Sequence, residues 1–165
     1  RAARPQRSAP HRDCRRIAEG VLGRVPALKG YHDTQRHPEG VQVPGLLLFR
    51  FDAPLFFANA DVFHERLEDA IDDSPTPVRT VVLAAEPITD VDTTAADVLA
   101  ELHVELAARG IGLWFAELKG PAKDALERYG LRDALGRDRC YPTLGQAVRA
   151  HVAEQGIEWR DWEDA

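Results

Sequence analysis

The 165-residue chain is 44% hydrophobic and 29% charged, which suits one compact domain with a sizeable core and excludes a disordered, collagenous or disulfide-stapled chain. Its net charge of −6 is unevenly spread: residues 1–40 carry nine Arg/Lys against four Asp/Glu, and residues 41–165 carry twelve against twenty-three. An acidic body excludes broad nucleic-acid binding by the domain, because phosphate contacts need a clustered basic face.

The first twenty residues mix Arg, Pro, Ala and Ser without helical or strand period and read as a basic arm. Residues 21–25 are a short apolar run stopped by Pro26, an expected edge strand, followed by a long loop to Pro44 containing Gly30, Pro38 and Gly40. Residues 46–51 are nearly continuously apolar, and after Pro54 the run Leu55-Phe56-Phe57 reads as a second short strand with core aromatics. Asn59 or Asp61 is placed to cap a helix whose apolar positions Val62, Phe63, Leu67, Ala70 and Ile71 share one face. Pro75 and Pro77 end it. Residues 78–85 are another buried strand, closed by Glu86-Pro87, since proline supplies no ladder donor.

A helix follows from about Thr94 to Arg109, with Ala95, Val98, Leu99, Leu102 and Leu106 on one stripe and Gly110 as its stop. Asp92 and Thr94 both qualify as its cap, the latter through Thr94-x-x-Asp97. Residues 111–118 form the third buried strand. Gly120-Pro121 opens a helix that closes at Tyr129-Gly130. Cys140-Tyr141-Pro142 reads as a last edge strand, and Thr143-x-x-Gln146 caps a final helix through Val152. The expected boundaries are an arm at 1–20, a domain at 21–153 and an acidic tail at 154–165, in which Trp159 and Trp162 either fray or dock. Strands alternating with helices imply a mixed, mostly parallel sheet covered by helices, with ligands or partners meeting the loops beyond the strands' carboxyl ends. That selects residues 86–94 and the turns near Asn59 and Lys119.

Several chemistries lack their residues. The only serines are Ser8 and Ser74, neither on a nucleophile elbow. Lys119-Gly120 lacks the upstream glycines and following hydroxyl of a phosphate loop. Cys14 and Cys140 have no C-x-x-C partner and read as free thiols of a reducing compartment. Cys140 with His151 is a nucleophile–base pair only on paper, and His32, Asp33 and His37 make a weak ligand set beside ordinary surface histidines. Asp90 and Asp92, with His103, are the residues a metal-assisted phosphohydrolase would need; the competing role for Asp92 is helix capping. No stretch reaches the roughly 20 uninterrupted apolar residues that span a bilayer, the longest candidate, 45–60, being broken by Arg50, Asp52 and Pro54. Methionine is absent, so an excised piece is expected, with Arg1 at a cut.

The most informative segment is Asp90-Val91-Asp92-Thr93-Thr94-Ala95, whose hydroxyls fall at a helix start, where unpaired N–H groups and the dipole favour an anion or a phosphorylated side chain. Asp92-Thr93-Thr94-Ala95 resembles the Asp-Ser-Ser/Thr-Gly/Ala motif of STAS domains. The wider resemblance runs over about residues 20–153 and is to the cytoplasmic C-terminal STAS domain of SulP-type anion transporters. It is carried by Val21-Leu-Gly-Arg-Val-Pro26, Gly30-Tyr-His-Asp33, Pro44-Gly-Leu-Leu-Leu-Phe-Arg50, Ala53-Pro-Leu-Phe-Phe-Ala-Asn59 and Phe115-Ala-Glu-Leu-Lys-Gly-Pro121.

The resemblance implies an α/β fold with a four- or five-stranded sheet flanked by helices, attached to the membrane domain of a sulfate, bicarbonate or dicarboxylate carrier. It implies a non-enzymatic regulatory role, with the transporter's own membrane domain as partner and the basic arm against the membrane. In stand-alone anti-sigma factor antagonists the second hydroxyl of the motif is phosphorylated by a partner kinase, and Thr94 holds that position. The chain departs from them in carrying threonine for serine and Ala95 for glycine. The resemblance also implies nucleotide binding (GTP, GDP or ATP) near this loop, which makes Asn59, Asp90, Asp92, Thr93, Thr94, Lys119 and Gly120 the candidate nucleotide or anion ligands.

Overall fold

The computed structural model describes residues 18–161; Cys14, Trp162 and all but the last three residues of the arm lie outside them. The elements are β1 (Glu19–Arg24), β2 (Tyr31–Asp33), β3 (Leu46–Phe51), α1 (Ala60–Asp72), β4 (Thr80–Ala84), α2 (Thr93–Ala108), β5 (Gly112–Ala116), α3 (Gly120–Arg128), α4 (Leu131–Ala134), β6 (Cys140–Tyr141) and α5 (Leu144–Gln155). They form one six-stranded sheet in the order β2-β1-β3-β4-β5-β6. β1 pairs antiparallel with β2 and β3, and β3, β4, β5 and β6 pair in parallel.

The central strands read as unbroken apolar runs because both faces of the sheet are covered. Side chains alternate, so Leu47, Phe49, Phe51, Val81, Leu83, Leu113 and Phe115 enter one core with Phe63, Leu67, Leu99, Leu102 and Leu106 of α1 and α2. Their neighbours Leu46, Leu48, Val82, Ala84, Trp114 and Ala116 enter a second core against Ala147 and Val148 of α5. The parallel β3-α1-β4 and β4-α2-β5 crossovers put α1 and α2 side by side on the first face.

His151 joins α5 to the sheet. It is fully buried, with Nε2 3.0 Å from the Pro44 carbonyl and Nδ1 3.0 Å from Thr80 Oγ1. The carbonyl can only accept, so the neutral tautomer fits: Nε2–H donates to Pro44 and Nδ1 accepts the Thr80 hydroxyl proton. Burial holds the imidazole below the ordinary histidine range, and the Pro44 hydrogen bond opposes that shift.

Four expectations are corrected. The sheet has six strands where four or five were expected. The edge is β2, inside the expected loop, and β1 lies one strand in. Leu55-Phe56-Phe57 is no strand: Leu55 is buried and makes an isolated parallel bridge with Val91, while Phe56 and Phe57 are 38% and 72% exposed. Finally, α2 starts at Thr93 with Asp92 as its cap, so Thr94 is a first-turn residue. The Thr143 cap holds, accepting from Gln146 N at 3.2 Å. Beyond α5 the chain docks: Trp159 packs on the second core, and buried Asp161 accepts a 2.7 Å hydrogen bond from the Tyr31 hydroxyl.

Candidate functional site: a threonine corner at the sheet's carboxyl end

β3 stops at Phe51 and β4 at Ala84, and the two loops that follow are clipped to each other. Leu55 N donates to the Asp90 carbonyl at 3.0 Å, and Asp92 N donates to the Leu55 carbonyl at 3.1 Å. Buried Leu55, Ile88 and Val91 root both loops in the core. Asp92 then completes the corner with its two carboxylate oxygens. Oδ1 accepts from Ala95 N at 2.9 Å, which caps α2, and Oδ2 accepts from Phe57 N at 2.8 Å, which fastens the first loop to the helix start.

The result is an exposed step carrying Thr93, Thr94, Phe56 and Phe57. The phenyl rings stand edge to face with centroids 6.1 Å apart. First-turn amides of a helix have no intrahelical acceptor, so Thr93 and Thr94 present theirs outward. Thr93 Oγ1 lies 3.5 Å from the Tyr129 hydroxyl at the end of α3, the outer limit of a hydrogen bond.

The other candidate residues divide around this step. Asn59 is buried, and its amide is spent on its own loop: Oδ1 accepts from Phe56 N at 3.0 Å and Nδ2 donates to the Pro54 carbonyl at 2.8 Å. It positions the phenylalanines and offers no ligand atom. Asp90 is exposed, with Oδ1 accepting from Val91 N at 2.8 Å. Lys119 and Gly120 open α3, and Lys119 Nζ lies 3.3 Å from Glu86 Oε1 at the end of β4. The one lysine among these candidates is thus already paired with a carboxylate, and Asp90 and Asp92 add negative charge at the start of α2, a balance that disfavours phosphate there.

The phosphohydrolase trio does not assemble. His103 stands eleven residues along α2 from Asp92, about 16 Å at the helical rise. The Cys140–His151 pair fails too, because both imidazole nitrogens are engaged and burial pushes the half-buried Cys140 thiol up, against thiolate formation. His32 and His37 stand edge to face with centroids 5.4 Å apart, but His32 Nε2 contacts the Lys29 carbonyl and His37 Nδ1 contacts Glu39, and no three-ligand cluster forms there among the described residues. On the opposite face of the strand ends, a recess of about 490 Å³ is lined by Arg50, Glu86, Glu117 and Thr143 among others, none of which the sequence singled out as a group.

A mostly parallel sheet with α1 to α4 on one face and α5 on the other, and a hydroxyl-bearing helix start at its carboxyl end, is the anti-sigma factor antagonist class of α/β domain. The STAS domain model matches residues 37–147, and the chain belongs to the STAS domain family. A probable sulfate transporter of Mycobacterium tuberculosis is 42% identical over 139 residues, covering 82% of this chain and 25% of that protein. The inward-facing murine solute carrier 26 member A9 anion transporter superposes with a TM-score of 0.76 at 17% identity, over 83% of this chain and 22% of that one. The SulP transporter STAS domain of Vibrio cholerae superposes at 0.58 and 21% identity, over 75% and 94%. At these identities the structural likeness is one of fold. The chain spans about a quarter of the length of the curated relatives it matches.

Proposed function

We propose that the chain is the cytoplasmic regulatory and interaction domain of a SulP-type sulfate or related anion transporter, catalysing nothing itself and acting through the threonine corner on the transporter's membrane domain. The observation that carries this reading is Phe57, 72% exposed yet held by its backbone to the carboxylate that caps α2. A single scattered solvent-facing ring would be ordinary; two exposed rings set edge to face, on backbone anchored beside a hydroxyl pair at the carboxyl end of a parallel sheet, are a presented contact. Relatives named as sulfate transporters support the setting. Among the described residues no helix is long and apolar enough to cross a membrane, so the transport path would lie in other residues of the same protein.

The test uses the whole reading frame, which should encode many apolar segments of about 20 residues. Sulfate uptake into vesicles carrying that protein is expected to change in Phe57→Asp and in Thr94→Glu at equal membrane abundance. Unaltered uptake in both variants would contradict the reading.

Nucleotide binding is a second reading, favoured by the outward first-turn amides and opposed by the Asp90 and Asp92 carboxylates at the same helix start, with Lys119 already paired to Glu86. Titration of GDP, GTP and ATP with amide shifts followed at Asn59, Thr93, Thr94 and Lys119 decides it. The charge balance leads us to expect no saturable shift at millimolar ligand. The stand-alone antagonist reading requires phosphate on Thr94: intact mass after incubation with kinases should rise in wild type and not in Thr94→Ala.

A further inference from the structure

We propose a binding site for a zinc-class divalent cation between α1 and α2, formed by His64, Glu68 and Glu105. His64 and Glu68 are four residues apart on α1 and therefore project from one helix face. Glu105 comes from α2, packed alongside. One ligand atom from each of the three lies within 4.8 Å of the other two, and His64 Nε2 is 2.9 Å from Glu105 Oε2. Three donors from two packed helices, one of them an imidazole, form the protein half of a zinc coordination shell, the remaining positions being left to water. The imidazole sets this cluster apart from a patch of carboxylates, because it favours zinc, nickel or copper over magnesium and calcium.

Two surrounding features bear on a cation, the first by orienting a ligand against its own charge repulsion and the second by supplying negative field. Arg109 Nη1 lies 2.9 and 2.6 Å from the two oxygens of Glu68, which fixes that carboxylate beside His64 and leaves it further lone pairs for a metal. Asp61, Glu65, Asp69 and Asp72 line the same groove as His64 and Glu68, and their combined field concentrates cations there. Because Arg109 already balances Glu68, a bound dication would draw its counter-charge from Glu105 and the acidic groove, and would tie α1 to α2 at the outer surface.

Zinc chloride is titrated calorimetrically into the 165-residue chain after chelator treatment, at pH 7.5. One saturable site is expected, weakened by about tenfold or more in His64→Ala and again in Glu105→Gln. Both side chains lie at the helix surface, and far-UV circular dichroism verifies the fold of each variant. The His32→Ala/His37→Ala double variant, which removes the other histidine pair, should bind as wild type. Equimolar magnesium should not compete. The proposal is overturned by no saturable binding up to about 1 mM zinc, by wild-type affinity in either ligand variant, or by loss of binding in the His32/His37 variant.

Discussion

Asp92 holds the corner together with two hydrogen bonds, one to each carboxylate oxygen. Asp92→Ala deletes both the cap on Ala95 N and the clip to Phe57 N. A lost aspartate cap costs about 1 kcal/mol, and the second bond, part-exposed and charge-assisted, about 1 kcal/mol more. The expected loss is about 2 kcal/mol, which lowers Tm by roughly 4–8 °C in a chain of this size. An asparagine side chain keeps one acceptor oxygen but points its amide hydrogens at the other donor, so Asp92→Asn should lose about half as much. Urea unfolding followed by the fluorescence of buried Trp114 measures both, with an unchanged m-value. Amide hydrogen exchange adds the local readout, faster at Phe57 in both variants and faster at Ala95 only in Asp92→Ala. A loss below about 0.5 kcal/mol in Asp92→Ala, or equal losses in the two variants, would refute the two-bond account.

The pH dependence follows from His151. Its folded-state pKa is depressed chiefly by burial, so the unfolded chain binds the extra proton first. Stability from the neutral imidazole is therefore complete above about pH 6.5 and falls as the pH drops through the folded value. Urea midpoints from pH 8 to 5 should show this slope and His151→Gln should flatten it; an equal slope in the variant assigns the effect elsewhere. Phe57→Ala, at an exposed ring, should change stability by less than about 0.5 kcal/mol, whereas Phe63→Ala, buried against Phe49 and Phe51, should cost about 3–5 kcal/mol. Matching losses in these two would mean that Phe57 is packed. Thr94→Ala should likewise leave the unfolding free energy within about 0.5 kcal/mol of wild type, since its side chain is exposed; a larger loss by urea titration would make Thr94 structural.

What the sequence disclosed follows from where each signal resides. β3, β4 and β5 were legible because burial on both faces leaves continuous apolar runs, and the caps at Asp92 and Thr143 because capping is a local interaction three residues long. The seating of Phe56 and Phe57 was hidden because Leu55-Phe56-Phe57 carries strand chemistry with no strand beside it. Only Leu55 finds a partner, Val91, and the Asn59 amide curls the rest outward. β2 was hidden by brevity: three residues of Tyr-His-Asp have turn composition and become a strand through pairing with β1. Thr94 and Asp92 competed for one cap, and Asp92 prevailed because its second oxygen also satisfies Phe57 N. The meeting of His64 with Glu105 depends on the register of two helices, at positions 41 residues apart in the chain, which no local pattern encodes.

A photo-reactive residue in place of Phe57, within the whole protein in native membranes, tests the central claim most directly. The account predicts an intramolecular cross-link from position 57 to the membrane-spanning part, and none from Val104, a residue 66% exposed on the outer face of α2. Equal cross-linking from the two positions, or none from Phe57 at full incorporation, would contradict it.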